Sequence, residues 1–223
     1  ARNALWHKTN KATQRMDKLS YALGLSMGNN FLSSGIKELH YEDFAAGVKA
    51  VYEGTEKQMS FDEAKKIINE YFTRLESEAA EANKKAGEAF LNKKVAEGYT
   101  KTKSGLAYKV LAEGNGENFK ENDVVMTKYV GKHIDGKEFD SSRGEAVPFN
   151  LKAVVPGFSE MIQLMKPGMK VEVVIPSELA YAENGNQVIG PNETLVFEIE
   201  TVGVKIAEGP NGEKVPVEAA DIK

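Results

Sequence analysis

The fold of this chain is decided by residues 124–197, where short apolar alternations enclose FDSS (139–142), VVPGF (154–158), AY (180–181) and TLVF (194–197). Apolar and polar residues that alternate over about four to eight positions predict β-strands with one buried face. The Gly, Pro and Asn residues between them predict turns. VVPGF, followed by residues 158–165 and then Pro167-Gly168, predicts a single short helix inside this β-rich segment.

A change of composition at Gly98 separates the β-rich part from the residues before it. Strands are predicted at 106–111, 124–134, 147–151, 170–175 and 195–204. Asp135-Gly136 predicts a hairpin turn. The sequence GPNG at 209–212 predicts a small hairpin in the tail.

The first hundred residues predict helices. Apolar residues spaced by three and four predict one helix over 12–27, weakened or ended by Gly28-Asn29-Asn30. A second is predicted over 41–52, with Gly54 as its terminator. Ser60-Phe61-Asp62-Glu63 has the sequence of a capping box, so a long helix is expected to begin there and to run to about residue 97.

The long helix carries a heptad-like seam of large apolar residues followed by alanines. Its members are Ile68, Phe72, Leu75, Ala79, Ala82, Ala86 and Ala89. Two interpretations stay open. The helix is either a charged, solvated stalk, or a spacer that holds two functional modules apart. In the second case, the apolar first half of the helix is buried in a dimer. The predicted domains are a helical dimerisation region at 1–59, a connecting helix at 60–98, a third domain at 99–205 and a tail at 206–223.

The composition limits the partners and the chemistry. The 223 residues, 41% of them hydrophobic, allow one or two domains with a packed core. A formal net charge of −4 without a long basic run argues against a nucleic-acid partner. No apolar run approaches the roughly 18 residues that span a bilayer, so no membrane span is expected. The chain is either cytosolic or lost a signal sequence before Ala1.

The sequence offers no nucleophilic or metal-binding motif. It contains no cysteine, and its three histidines, His7, His40 and His133, lie far apart. Disulfides, thiol catalysis and a metal site are therefore not expected, and neither is a cofactor.

Within residues 124–197, a set of aromatic and aliphatic side chains surrounds one carboxylate, that of Asp140, in the order of the sequence. Taken singly, each aromatic residue is typical of a protein core, and Asp140 is typical of a turn or a helix cap. The candidate site residues are Tyr129, Phe139, Asp140, Phe149, Val154, Val155, Phe158, Tyr181, Ile189 and Phe197.

The order of these residues resembles that of the FKBP-type peptidyl-prolyl cis-trans isomerases, over residues 99–204. Residues 13–98 resemble the helical dimerisation region of the macrophage-infectivity-potentiator and FkpA-like branch, most clearly in KLSYALG (18–24) and FAAGV (44–48). The resemblance implies an α+β fold. An all-helical dimerisation region with a long stalk helix would precede an antiparallel half-barrel wrapped around one short helix. It also implies a V-shaped homodimer joined through the N-terminal helices.

The resemblance also implies roles for the candidate residues. Asp140 would lie beside the rotating amide, Tyr181 would supply a hydroxyl, the Val155 amide would bind the substrate carbonyl, and Phe158 would form the floor under the proline ring. The implied substrate-binding residues are Tyr129, Phe139, Phe149, Val154, Ile189 and Phe197. The implied partners are proline-containing unfolded or partly folded polypeptides, with chaperone activity from the cleft between the arms.

An apolar pocket suits this reaction. Rotation about the C–N bond has a barrier of ~18–20 kcal/mol because it removes amide resonance. The planar amide is more dipolar than the twisted one, so a pocket that strips away water favours the twisted state. Such catalysis needs neither a nucleophile nor a cofactor.

The sequence departs from the family pattern at three places. Phe158 stands where the best-known members have tryptophan, Ala182 replaces a glycine, and Gly190 replaces the first proline of Ile-Pro-Pro. Because glycine relaxes the φ angle that proline would fix, a more mobile loop is predicted at 182–190. Substrate preference and the binding of macrolide inhibitors are expected to depend on these residues.

Two alternatives to an isomerase stay open. One is a non-catalytic holdase that uses the FKBP fold to grip apolar segments, and the other is a structural dimeric spacer. The resemblance implies a location in the periplasm or cell envelope of a Gram-negative bacterium, with the cytoplasm as the alternative.

Overall fold

The computed structural model of this protein describes residues 15–218. They divide into two compact units, one that ends at Tyr71 and one that begins at Phe72. The division falls inside the longest helix, because the last turns of that helix contact the β-rich part of the chain. In the described residues, no helix is both long and apolar enough to cross a bilayer.

The first unit contains α1 (Lys18–Ser33) and α2 (Tyr41–Glu53). Asp17 caps α1, since its Oδ1 accepts a hydrogen bond from the Ser20 amide at 2.8 Å. The sequence-based end of this helix was wrong: α1 continues through Gly28, because one glycine costs a helix only about 1 kcal/mol. The predicted start was also wrong, because α1 begins at Lys18 and residues 15–17 are not helical, while residues 12–14 lie outside the described residues. The predicted terminator of α2 is confirmed, since Gly54 has a φ of 62°.

The long helix α3 (Phe61–Ala96) is confirmed. Its capping serine, Ser60, accepts a hydrogen bond from the Glu63 amide at 3.1 Å. In the first unit, the Tyr71 hydroxyl donates to the Gly35 carbonyl at 3.2 Å. Phe31 and Phe44 pack edge to face, with ring centroids 5.6 Å apart, and this contact joins α1 to α2.

The second unit is an antiparallel sheet with one short helix, which confirms the α+β fold class. Along the chain the elements are β1 (Thr100–Lys101), β2 (Ala107–Ala112), β3 (Val124–His133), β4 (Glu138–Ser141), β5 (Val147–Asn150), α4 (Pro156–Gln163), β6 (Lys170–Ile175) and β7 (Leu195–Val204). The strand order is β1-β2-β6-β7-β3-β4, with β5 also paired to β3. A separate hairpin, β8 (Ile206–Glu208) and β9 (Lys214–Pro216), confirms the prediction for the tail.

The two faces of the sheet are covered by different helices. Helix α4 packs on the face that includes Val171 and Val173, and the main core forms there. Val174 points to the opposite face, as the two-residue period of a strand requires. It forms a second, smaller core with Ala107 and with Leu91 of α3.

The end of α3 is therefore part of the second unit. Lys94 lies over the rings of Phe90 and Tyr99, 5.5 and 5.3 Å from their centroids. The Tyr99 hydroxyl donates to Glu172 on β6 at 2.7 Å, and burial raises the pKa of Tyr99. These contacts join the C-terminal end of α3 to the sheet.

The face of α3 that docks on the sheet differs from the heptad-like seam of the sequence. The alanines of this seam are exposed, whereas the residues that face the sheet are Ala80, Asn83, Gly87, Phe90, Leu91, Lys94 and Val95. The reason is steric. A Cβ atom on Gly87 would lie 2.2 Å from the Thr194 hydroxyl oxygen, so the helix approaches the sheet at a glycine rather than at a large residue.

Gly87→Ala is expected to destabilise the protein. A new Cβ there cannot fit without moving Thr194, and overpacking of this kind costs about 1–3 kcal/mol. Denaturant unfolding should show the loss, whereas Glu88→Ala, at the adjacent exposed position, should change stability by no more than about 0.5 kcal/mol. Equal unfolding midpoints for the two variants would show that α3 is not docked at Gly87.

Candidate active site

Strand β3 places Tyr129 at the point where the strand changes partner. Residues 124–127 of β3 pair with β5, and residues 130–132 pair with β4. In between, Ser142 takes the place of a strand. Its hydroxyl accepts from the Tyr129 amide at 3.0 Å, and its amide donates to the Tyr129 carbonyl at 3.0 Å. These two hydrogen bonds fix the backbone of Tyr129 on the edge of β3 where neither β4 nor β5 pairs with it.

The Tyr129 side chain holds Asp140. Its hydroxyl donates to Asp140 Oδ2 at 2.7 Å, while Oδ1 accepts from the Ser141 amide at 2.8 Å. Burial, followed by the hydrogen bond and charge of Asp140, raises the pKa of Tyr129 to about 12, with a smaller contribution from Tyr181. Since tyrosine in an unfolded chain titrates near 10, this stabilises the folded state below pH about 10 and is lost as the pH rises through about 12.

Aromatic rings enclose the space next to this pair. Phe158, from the first turn of α4, lies 4.9 Å from Phe149 and 5.3 Å from Phe197, measured between ring centroids. Tyr129 contacts Phe149 at 5.3 Å and Phe158 at 6.1 Å, both edge to face. Phe139 packs on Phe197 at 5.7 Å. The five rings form one continuous apolar surface.

The turn into α4 adds a polar group. Val155 is the N-cap residue of α4, and Pro156 occupies the first helical position. Among the described residues, no acceptor receives a hydrogen bond from the Val155 amide. Val154 and Val155 pack against the aromatic cluster. One backbone donor is therefore available beside an apolar surface.

Tyr181 and Ile189 lie on a loop between β6 and β7, which we call the site loop (residues 181–193). Ile189 is 3% exposed and belongs to the main core, whereas Tyr181 is 37% exposed. Asn186 closes the loop, because its Oδ1 accepts from the amides of Val188 and Ile189, both at 2.9 Å. The mobility predicted for residues 182–190 stays a prediction.

The structure thus brings most of the predicted site residues together. The five rings and Asp140 form one connected cluster, and Val154, Val155 and Ile189 pack against it. Tyr181 has no ring contact with the cluster among the described residues. In the same residues, no group of three or more acidic, histidine or cysteine side chains could hold a metal ion.

Comparison with known proteins identifies the family. Residues 115–202 match the family model described as FKBP-type peptidyl-prolyl cis-trans isomerase. Residues 16–110 match the domain amino terminal to FKBP-type peptidyl-prolyl isomerase. FkpA of Escherichia coli K12 is 38% identical over 85% of this chain and 76% of its own length. The chain belongs to the FKBP-type peptidyl-prolyl cis-trans isomerase family.

Other members of the family are equally similar. The Mip isomerase of Coxiella burnetii is 35% identical, over 89% of this chain and 91% of its own. The outer membrane protein MIP of Legionella longbeachae is 36% identical, over 87% of this chain and 88% of its own length. The crystal structure of Escherichia coli FkpA superimposes with a TM-score of 0.67 at 35% identity and covers 84% of this chain and 95% of FkpA. The predicted enzyme class is confirmed.

Two departures from the FKBP pattern have structural counterparts. Ala182 adopts a φ of 51°, which costs a residue with a Cβ about 1–2 kcal/mol. Hydrogen bonds hold it there, from its amide to the Ser177 carbonyl and from the Asn192 amide to its own carbonyl, both at 2.9 Å. The Gly190 amide donates to Glu193 Oε2 at 2.8 Å, a bond that a proline could not form.

The sequence analysis missed three supporting residues. Gly131 lies beneath Phe139 and Phe197, His133 stacks on Phe139 with centroids 5.2 Å apart, and Ser142 fills the gap in the ladder. Gly131 carried a detectable signal, because a glycine inside a strand often marks a close approach or a bulge. Here both occur, since the β3–β4 register shifts beside Gly131 and leaves Phe139 unpaired.

Gly131→Ala is expected to lower isomerase activity. A Cβ at this position would lie 2.7 Å from Phe139 and 2.8 Å from Phe197, so both rings must move. Turnover of a proline tetrapeptide should show a reduced kcat/KM, with a loss of stability of about 1–3 kcal/mol. Gly136→Ala, in the adjacent hairpin turn, serves as the control. A Cβ at Gly136 would meet open space, but the residue has a φ of 90°. This variant should therefore lose stability and keep the kcat/KM of the unchanged protein. Unchanged turnover in Gly131→Ala would show that the positions of the two rings do not matter.

Proposed function

We propose that this FKBP-type enzyme accelerates Xaa-Pro rotation in unfolded or partly folded polypeptides, and that it does so as a homodimer with chaperone activity. The observation that carries the catalytic part is the cluster of five aromatic rings beside a hydrogen-bonded carboxylate and an available backbone donor. This cluster offers apolar walls together with a small number of fixed polar groups.

The proline ring would enter the aromatic surface, with Phe158 as the floor and Tyr129, Phe149 and Phe197 as walls. Entry removes water from the amide, and because the planar amide is the more dipolar state, its loss of solvation lowers the barrier to twisting. A hundredfold acceleration needs only about 2.7 kcal/mol of such differential stabilisation. The reaction then requires no bond to be made or broken.

Three polar groups would orient the substrate. The Val155 amide would donate to a substrate carbonyl, and the Tyr181 hydroxyl would supply a second donor at the exposed side of the site. Asp140 would lie beside the rotating amide as a fixed dipolar partner. Its two oxygens already accept from Tyr129 and Ser141, which supports a positioning role rather than proton transfer.

Tyr181→Phe and Asp140→Leu are expected to reduce turnover of a proline tetrapeptide. Loss of one hydrogen bond in the transition state corresponds to about a two- to tenfold lower kcat/KM for Tyr181→Phe. Asp140→Leu should cost more, because it also leaves the Tyr129 hydroxyl without its acceptor.

Glu145→Leu provides the matched control, since this carboxylate is exposed and close in sequence to Asp140. It should keep the activity of the unchanged protein. If both site variants also keep it, the assignment of the pocket is wrong.

The holdase alternative is separated by a second assay on the same full-length proteins. Suppression of aggregation of an unfolded client should survive in Asp140→Leu if chaperone activity depends on surfaces outside the pocket. The holdase alternative gains support if the unchanged protein suppresses aggregation without any turnover. The structural-spacer alternative predicts neither activity.

The homodimer is supported by the surface of the first unit. Its helices bury none of their own side chains fully, and large apolar residues remain exposed along α1 and α2. They include Leu19, Tyr21, Leu23, Leu25, Leu32, Val48, Val51 and Tyr52, each at least 41% exposed. Large exposed apolar areas are uncommon on monomers and mark association surfaces, so this many exposed apolar side chains on two helices favours association. A second copy of the same unit would cover them, and the relatives named above match this region as well.

A dimer is expected in solution. Light scattering at micromolar concentration should give about twice the chain mass of 24.4 kDa. Leu23→Glu, which places a charge on the exposed apolar surface of α1, should shift the mass towards the monomer because an unpaired charge is costly to bury. Lys18→Glu, on the same helix, is the control and should stay dimeric. A monomer mass for the unchanged protein would overturn the proposal.

For location we propose the periplasm or cell envelope of a Gram-negative bacterium. The support is that one similar protein is the outer membrane protein MIP of Legionella longbeachae. Fractionation of the native host would test it. We also propose that macrolide inhibitors compete for the aromatic surface, which inhibition of tetrapeptide turnover would test.

A further inference from the structure

The site loop is held from outside by a helix that contributes no residue to the aromatic pocket. Asn83 of α3 donates through its Nδ2 to the carbonyl of Pro191 at 2.9 Å. Asn192 donates through its own Nδ2 to the Ala80 carbonyl on α3 at 3.4 Å. One helical turn beyond Asn83, Gly87 lies against Thr194, where the loop meets β7. The loop is thus bound to one face of the helix at Pro191 and Asn192, and the contact continues at Thr194.

These contacts lead directly to the pocket. Glu193 accepts from the Gly190 amide through Oε2 at 2.8 Å, and its other carboxylate oxygen is paired with Nδ1 of His133. His133 stacks on Phe139, one of the five rings. Next to Gly190, Ile189 is buried in the main core. A movement of residues 190–193 would therefore change the positions of Ile189 and Phe139.

Gly190 explains why the loop depends on the helix. Where the family pattern has a proline, this chain has a glycine, which does not fix its own φ angle. A Cβ on Gly190 would lie 3.2 Å from Nδ2 of Asn83, so the side chain of Asn83 occupies the space beside this residue. Two hydrogen bonds hold the backbone next to this residue, one from Asn83 to the Pro191 carbonyl and one from the Gly190 amide to Glu193.

The helix itself is firmly placed at this point. Leu91 is buried against Ala107 and Val174, and Lys94 pairs with Glu172 on β6 at 4.0 Å. Asn83 lies two turns before Leu91 on the same face. Its position relative to the sheet is thus set by the second core and not by the loop.

We propose that Asn83 is a positioning residue for catalysis: by binding the Pro191 carbonyl it fixes the site loop and hence Ile189 and Tyr181. This inference rests on the proposed isomerase function. It makes the C-terminal part of α3 a determinant of activity, with Asn192 as a second, weaker contact. The sequence predicts only a connecting role for this helix, and the inference adds a role in catalysis.

The test uses full-length Asn83→Asp and Asn83→Ala. Aspartate keeps the size of the side chain and removes the donor, and alanine removes the donor without adding a charge near Glu193. Both should lower kcat/KM for a proline tetrapeptide about two- to tenfold, the range that corresponds to one hydrogen bond. Both should also speed amide hydrogen exchange at Ile189 and Gly190.

Two controls separate positioning from loss of stability. Asn92→Asp makes the same chemical change at an exposed position of α3 and should alter neither quantity. Gly168→Ala places a Cβ on a residue with a φ of 82°, outside both α3 and the site loop, and should lower the unfolding midpoint while leaving kcat/KM and exchange in the site loop unchanged.

The outcomes are distinguishable. Wild-type kcat/KM in both Asn83 variants would overturn the inference and leave the isomerase function standing. So would a loss of kcat/KM that Gly168→Ala reproduces at an equal shift of the midpoint, because the effect would then be one of stability. Absence of turnover in the unchanged protein would instead overturn the proposed function.

Discussion

The hydrogen-bond ladder of β3 is the constraint on which the site depends. One edge of the strand pairs with β7 from Val125 to His133, so the strand cannot slip without breaking the longest ladder in the sheet. The other edge is shared between β5 and β4, and Tyr129 lies in the gap between them. Because a shift by one residue would turn Tyr129 to the opposite face, the same pairing that forms the sheet also aims this ring and its hydroxyl at Asp140.

The aromatic cluster on one face of the sheet is only partly closed. Phe158 and Phe197 are 4% and 6% exposed and behave as core residues, while Tyr129, Phe139 and Phe149 are only partly buried. The cluster therefore ends in an open apolar surface instead of a sealed interior. In the proposed function, stability and substrate binding would draw on the same side chains, so a substitution at Tyr129 or Phe149 is expected to affect both.

Much of this was predictable from the sequence, and the parts that were not have common physical causes. Strand alternation, the Asp135-Gly136 turn and the capping serine of α3 are local features, and each was predicted correctly. The aromatic set was found through its order along the chain. The docked face of α3 was not, because a glycine in contact with Thr194 leaves no apolar period to detect. Contacts that depend on the absence of a side chain, at Gly87 and at Gly131, become visible only in three dimensions.

The unit that folds together is consequently larger than the part of the chain that carries the motif. The isomerase model matches residues 115–202, yet the compact unit begins at Phe72. Between them lies Leu91, and burial of a leucine side chain contributes about 1.5–3 kcal/mol, a substantial share of the total stability of a domain. A domain cut at Gly98 would expose Ala107 and Val174 on the outer face of the sheet. The final turns of α3 thus belong to the isomerase domain, because they share a core with its sheet.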